Sequence, residues 1–401
     1  MELQFAGKKA LIRVDFNVPL NSTFQITDDT RIKGALPTIE HVLDQGGAVI
    51  LMSHLGRPGK KLKEDGSIDV ERFTLQHVVD HLSSLLGRPV QFCPETVGET
   101  ASQMASALQA GEVLVLENTR FNAGEKKGDE GFAQQLAELG DLYINDAFGS
   151  AHRAHASTTT VAQYFTPDTR SFGFLMQNEI KNANRVLYTP ESPVTAIVGG
   201  AKVSDKILLL DRLLEKANNV LVGGGMAYTF FKAMGGNIGN SLVELDKLDL
   251  ATKLIEKAKE RGVQLLLPVD SLTANAFSND ADRAPHASQE IPDGWMGLDI
   301  GPEAITAFSV VISQSKTILW NGPMGVFEMD NFANGTRSVA QAVAKATAEN
   351  GAFSLIGGGD SVAAVNQMGL GSEVSYVSTG GGAMLEYLEG KTLPGIAAIE
   401  G

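Results

Sequence analysis

The chain has 401 residues, 43% of them apolar, with 33 basic and 47 acidic side chains and a net charge of −14. That balance is typical of a globular protein, and its net acidity makes it a poor partner for nucleic acid or anionic lipid, so neither is expected. The single cysteine, Cys93, excludes an internal disulfide and every multi-cysteine zinc centre, and the length suggests two or three compact units.

Met1–Phe5 lacks the basic start and apolar run of a secretion signal. No stretch approaches the roughly 18 uncharged apolar residues that a membrane span needs, so the cytoplasm is the expected location. Short apolar runs then recur in order: Ala10–Val14, Ala48–Met52, Val113–Leu116 and Leu142–Ile144, followed by Val194–Val198, Val220–Val222, Val263–Leu267, Thr317–Trp320 and Phe353–Ile356. Each has the length of a strand buried on both faces. Helical patterns such as Phe73–Leu86 and Lys206–Glu215 lie between them. The alternation predicts an α/β chain of parallel sheets flanked by helices. Phe174–Leu187 reads as a helix that the Tyr188–Pro193 stretch breaks, which places a boundary near mid-chain. Lys60–Asp69 and Asn279–Gly294 read as polar surface excursions, and residues 126–130 as a solvated face.

Ligands of open parallel sheets bind beyond the carboxyl ends of the strands, so the residues just past each apolar run are the candidates for a site. In the first half the strand ends deliver Asp15, Phe16 and Asn17; then His54, Leu55, Gly56 and Arg57; then Arg120; then His152 and Arg153. Arg31 lies in the connection after the first strand. Nine of the 13 arginines and six of the seven histidines fall in residues 1–185. The arginine fork matches carboxylate and phosphate oxygens bidentately, so this set predicts a basket for a small phosphorylated acid.

Glycine dominates the strand ends of the second half, where 27 of the 43 glycines lie after residue 185. Gly199-Gly200-Ala201-Lys202 comes after one run and Gly223-Gly224-Gly225 after the next. Asn321-Gly322-Pro323 and Gly357-Gly358-Gly359-Asp360-Ser361 come after two more. Such loops let backbone N–H groups approach phosphates. Lys202 and Lys206, four apart at an expected helix start, would reach one phosphate chain. Asp360, an N-cap candidate, has the chemistry to hold Mg²⁺ beside a polyphosphate. No Walker A loop or Gly-x-Gly-x-x-Gly fingerprint is present, which disfavours a dinucleotide dehydrogenase.

Taken together, Arg13–Pro19, Asp29–Ile32, Ser53–Pro58, Asp146–His155, Gly199–Lys206, Trp320–Glu328 and Gly357–Ser361 resemble the phosphoglycerate kinase family, motif by motif and in order. The resemblance runs from Arg13 to the Ser378–Ala383 segment. It implies two Rossmann-like domains, each a parallel sheet flanked by helices, facing each other across a hinged cleft. Residues 1–172 would bind 3-phosphoglycerate or 1,3-bisphosphoglycerate, 173–193 would form the interdomain helix and hinge, 194–385 would bind ADP or ATP with Mg²⁺, and 386–401 would return to the first domain. The implied reaction is the reversible glycolytic phosphoryl transfer from 1,3-bisphosphoglycerate to MgADP. Arg31 and Lys202 would stabilise the group in flight. By the same resemblance Asp15, Phe16, Asn17, Arg31, His54, Leu55, Gly56, Arg57, Arg120 and Arg153 hold the acid, with His152 beside them. Gly200, Ala201, Lys202, Lys206, Gly224, Gly297, Leu298, Asn321, Glu328, Gly358, Gly359, Asp360 and Ser361 hold the nucleotide, and Asp360 the metal. The family implies a monomer.

Two departures are small: Ser361 where many members have Thr, and Thr119 where an aliphatic residue is common. Two rival readings stay open, a catalytically silent nucleotide-binding scaffold and a kinase for another phosphorylated acid.

Overall fold

The computed structural model describes residues 3–401; Met1 and Glu2, which begin the N-terminal stretch, lie outside them. The chain divides into two compact units, residues 1–180 with 392–401, and residues 181–391. The division falls inside the helix Phe174–Tyr188.

The first unit is built on six strands, β1 (Lys9–Val14), β2 (Ala48–Met52), β3 (Val90–Phe92), β4 (Val113–Val115), β5 (Leu142–Asp146) and β6 (Arg170–Phe172). They form one all-parallel sheet in the order β3-β4-β2-β1-β5-β6. The pleat explains why the central strands read as unbroken apolar runs. Ala10, Ile12, Val14, Val49 and Leu51 enter the core on one face; Leu11, Ala48, Ile50 and Met52 enter the core on the other. The helical pattern at Phe73–Leu86 is two helices, Val70–Phe73 and Gln76–Leu86, broken at Thr74-Leu75. Buried Glu117 accepts the Thr74 hydroxyl at 2.7 Å and the Leu75 amide at 2.9 Å, which anchors the break.

The second unit repeats the plan with β7 (Val194–Val198), β8 (Asn219–Val222), β9 (Asn237–Ile238), β10 (Gln264–Leu266), β11 (Asp270–Ala274), β12 (Arg283–Ala287), β13 (Glu290–Ile291), β14 (Met296–Ile300), β15 (Thr317–Asn321), β16 (Phe353–Gly357) and β17 (Tyr376–Val377). Its main sheet is parallel, in the order β10-β8-β7-β15-β16-β17. Trp320, Ile318, Ile356, Phe308 and Val343 are buried in one core against it. The Asn279–Gly294 stretch is more than the surface excursion its sequence suggests. It carries β12, which pairs antiparallel with β11 in a small three-stranded sheet with β14, and β13, which pairs with β9. Polar, alternately exposed strands of this kind carry little apolar signal. No helix among the described residues is long and apolar enough to cross a membrane.

Candidate functional site

In the first unit the carboxyl ends of β1, β2, β4 and β5 carry the anticipated residues, and several of them are bonded to one another. Arg31 Nη1 donates to Asp15 Oδ2 and to the Asn17 carbonyl, each at 3.1 Å. The Gly56 amide donates to Asn17 Oδ1 at 2.7 Å, and Arg120 Nη1 donates to the Gly56 carbonyl at 2.6 Å. Asn118 fixes the same corner: its amide group donates to the Leu55 and Phe73 carbonyls, each at 2.8 Å, and its oxygen accepts the Arg120 amide. The Phe16 amide donates to Ser53 Oγ at 2.8 Å. Asp15, Asn17, Arg31, Leu55, Gly56 and Arg120 therefore form one connected rim, with Phe16 and His54 tied beside it by Ser53, whose Oγ donates to the His54 carbonyl at 3.1 Å. Arg57 and Arg153 are exposed cations on the β2 and β5 loops, and His152 is half-buried beside Arg153.

Arg120 Nε is buried with no acceptor among the described residues. Burial, then the Arg13 charge, brings the Arg120 guanidinium down to about 10. His54 lies well below its ordinary 6.5, from burial and then the charges of Arg13, Arg120 and Arg31. A cluster of cations held this close, with a buried N–H lacking an acceptor, is arranged for an oxyanion.

In the second unit a cavity of about 460 Å³ opens at the strand ends. Gly200, Ala201, Gly224, Gly297, Leu298, Glu328 and Asp360 of the anticipated nucleotide set line it, together with Tyr228, Phe277 and Val326. Gly224 has φ +69, and a Cβ there would meet the Pro323 carbonyl and the Gly200 backbone, so only glycine lets these loops close up. Lys206 Nζ donates to Asn321 Oδ1, while Asn321 Nδ2 is buried with no partner among the described residues. Ser361 Oγ accepts the Gly322 amide at 2.6 Å. Burial lowers the Lys206 ammonium, against Asp205 and Asp360, which favour its charge.

Two local expectations are corrected. The helix after β7 starts at Ile207, with Lys206 at its cap and Lys202 exposed in the preceding loop, so the two lysines do not share a helical face. Asp360 is the second residue of the helix Gly359–Gln367; Gly358, at φ +85, is the cap. Lys202, Lys206, Asn321, Gly358, Gly359 and Ser361 do not line the cavity itself. Sequence reasoning missed Arg13, Asn118, Glu125 and Ser157, all wholly buried. A lone arginine within an apolar strand was the available signal for the first.

Strand-end oxyanion donors in one unit, and a glycine-lined cavity and a half-buried lysine at the strand ends of the other, define an α/β protein of the phosphate-transferring class. A family model described as phosphoglycerate kinase matches residues 1–391. The chain is 52% identical to the phosphoglycerate kinase of Porphyromonas gingivalis, over all of this chain and 99% of that one. It is 53% identical to that of Herpetosiphon aurantiacus, over 99% and 98% respectively. The solved structure of phosphoglycerate kinase from Coxiella burnetii matches with a TM-score of 0.87 at 41% identity, covering 100% of this chain and 97% of that one. The chain belongs to the phosphoglycerate kinase family, and so is a phosphotransferase with a carboxyl group as acceptor.

Proposed function

We propose that the first unit binds 3-phosphoglycerate or 1,3-bisphosphoglycerate at the Arg31–Arg120 rim and that the second binds ADP or ATP in the glycine-lined cavity. The observation that carries this reading is a pair of buried N–H donors without acceptors, Arg120 Nε at one set of strand ends and Asn321 Nδ2 at the other. Each is a donor that an oxyanion would satisfy. Arg57, Arg120, Arg153 and His54, with His152 beside them, would meet the carboxylate and phosphate of the acid. Lys206 and the amides of Gly358, Gly359 and Asp360 would meet the nucleotide phosphates, with Ser361 bracing Gly322 beneath them. Gly297 and Leu298 would line the base, and Glu328 would accept from the ribose.

The transferring group passes between a carboxylate and a diphosphate, both already ionised at neutral pH, so no general base is required. What the chain supplies is alignment and neutralisation of the equatorial oxygens. Among the described residues Arg31 is held by Asp15 and the Asn17 carbonyl through Nη1 alone, which leaves its other donors for a ligand. Exposed Lys202 would meet the same oxygens from the nucleotide side. Asp360, a carboxylate on the wall of the cavity, suits Mg²⁺, which beside a polyphosphate uses one or two carboxylates with water and phosphate oxygens. The metal would neutralise phosphate charge there. Transfer requires the two ligands to be brought together, with the helix Phe174–Tyr188 and the turn at 190–193 as hinge; of the 386–401 segment expected to return to the first domain, residues 392–401 belong to the first unit and 386–391 to the second. We read the protein as a cytoplasmic monomer.

Amide-exchange mapping tests the assignment. Added 3-phosphoglycerate should protect the 15–17, 54–57 and 118–121 segments, and MgATP the 200–206, 297–298 and 358–361 segments. Protection of one and the same unit by both ligands would refute it.

A further inference from the structure

Beneath the arginine rim lies a charge that neither proposed ligand site uses. Glu125 is wholly buried, although exposed Lys126 and Lys127 come directly after it. Its Oε1 accepts the Ser157 hydroxyl at 2.6 Å and the Thr119 hydroxyl at 3.2 Å, and Oε2 accepts the Ser157 amide at 3.0 Å. His155 Nδ1 stands 3.8 Å from Oε1, and the Glu125 carbonyl accepts the Ala156 amide at 2.8 Å. Ser157 Oγ in turn accepts Arg13 Nε at 2.8 Å. The chain of contacts therefore runs from the Arg13 guanidinium through one hydroxyl to the Glu125 carboxylate.

Arg13 is 0% exposed, and its Nη2 stands 3.0 Å from His54 Nδ1. A guanidinium only donates, so Nδ1 must accept, and the His54 ring is neutral with its proton on Nε2. The groups that bear on this ring are Arg13, Arg120, Arg31 and His155, and all four disfavour its charge. A guanidinium buried this completely is costly without a counter-charge, and Arg120 close by adds repulsion.

We propose that Glu125 is a positioning residue for the phosphoglycerate rim: as the buried counter-charge of Arg13, acting through Ser157, it holds the guanidinium against His54 and fixes the 155–157 segment that follows Arg153. The proposal rests on the reading that this rim binds phosphoglycerate. Thr119, one of the two departures from the family pattern, contributes a donor to the same carboxylate.

Glu125→Gln removes the charge and leaves one amide oxygen to serve three donors. Titration calorimetry of the full chain should show 3-phosphoglycerate binding weakened at least tenfold and ATP binding within twofold of the parent. Histidine NMR should show the His54 ring in the parent with its proton on Nε2 and Nδ1 accepting a hydrogen bond, and the Nδ1 resonance moved in the variant towards that of an unbonded acceptor, because Arg13 no longer holds it. Ser157→Ala keeps the charge but cuts the link, and should give the same change at His54 Nδ1 should Glu125→Gln not fold. A folded Glu125→Gln that binds 3-phosphoglycerate as tightly as the parent or tighter, with the His54 Nδ1 resonance unchanged, overturns the proposal. Failure of the parent itself to bind 3-phosphoglycerate would overturn the rim reading instead, and the His54 Nδ1 resonance would still decide the role of Glu125.

Discussion

Asp146→Asn isolates the cost of one buried charge. Asp146 ends β5, is 1% exposed, and accepts the Met176 amide at 3.1 Å near the start of the Phe174–Tyr188 helix. Burial pushes its carboxyl up to about 7 from the ordinary 3.8, against hydrogen bonds from Thr38, Met176 and Leu175 that favour the ion. Between those two values the folded chain binds more protons at this site than the unfolded chain. Its contribution to stability is therefore fully present below about pH 4 and is lost as pH rises through about 7. From pH 5 to the folded value is about two units, or about 2.7 kcal/mol at about 1.36 kcal/mol per unit. Asp299 in the second unit carries a shift of the same sign, also to about 7. Trp295 and Trp320 both belong to that second unit, so tryptophan fluorescence would track Asp299's unit. Amide exchange at Leu175 and Met176 reads Asp146 directly. Asn keeps an acceptor for the Met176 amide and cannot ionise. The variant's protection relative to the parent should rise about tenfold to 100-fold between pH 5 and pH 8, after correction for intrinsic exchange. A variant that loses more protection at pH 8 than at pH 5 would refute the reasoning.

Lys206→Ala removes the cation held by Asn321 at the nucleotide loops. Nucleotide affinity should fall at least tenfold by calorimetry while 3-phosphoglycerate affinity holds; an unchanged nucleotide affinity would count against the role given to Lys206. Cys93 is wholly buried, and burial raises its thiol. A thiol-specific reagent should therefore label the chain only in denaturant, and fast labelling of the native protein would contradict the packing.

The central strands were legible because both of their faces are buried. Ala48–Met52 and Val194–Val198 match the structure residue for residue, and the strand-end loops are located by them. The edge strands Val90–Phe92, Arg170–Phe172 and Tyr376–Val377 were not, being two or three residues long and half-exposed. β12 was hidden for a related reason, since Arg283–Ala287 owes its extended form to pairing with β11 rather than to apolar character. At the sites, the residues at strand ends were readable one by one, whereas their buried supports were not. Glu125 sits in a charged stretch that looks solvated, and only the fold brings Ser157 and Arg13 to it. The helix at Ile207 starts later than its sequence suggests, because Lys206 caps it in a non-helical conformation.

The central claim, that the two units jointly move a phosphoryl group between an acid and a nucleotide, is tested most directly by turnover. ATP consumption with Mg²⁺ would be monitored in the presence and absence of 3-phosphoglycerate, with the product drawn off by a coupled dehydrogenase. Turnover should require all three components and should fall by at least about 100-fold in Arg31→Ala and in Lys202→Ala, consistent with loss of a charge-stabilising donor. Folded protein that binds both ligands without turning over, or variants that keep parental rates, would contradict the account.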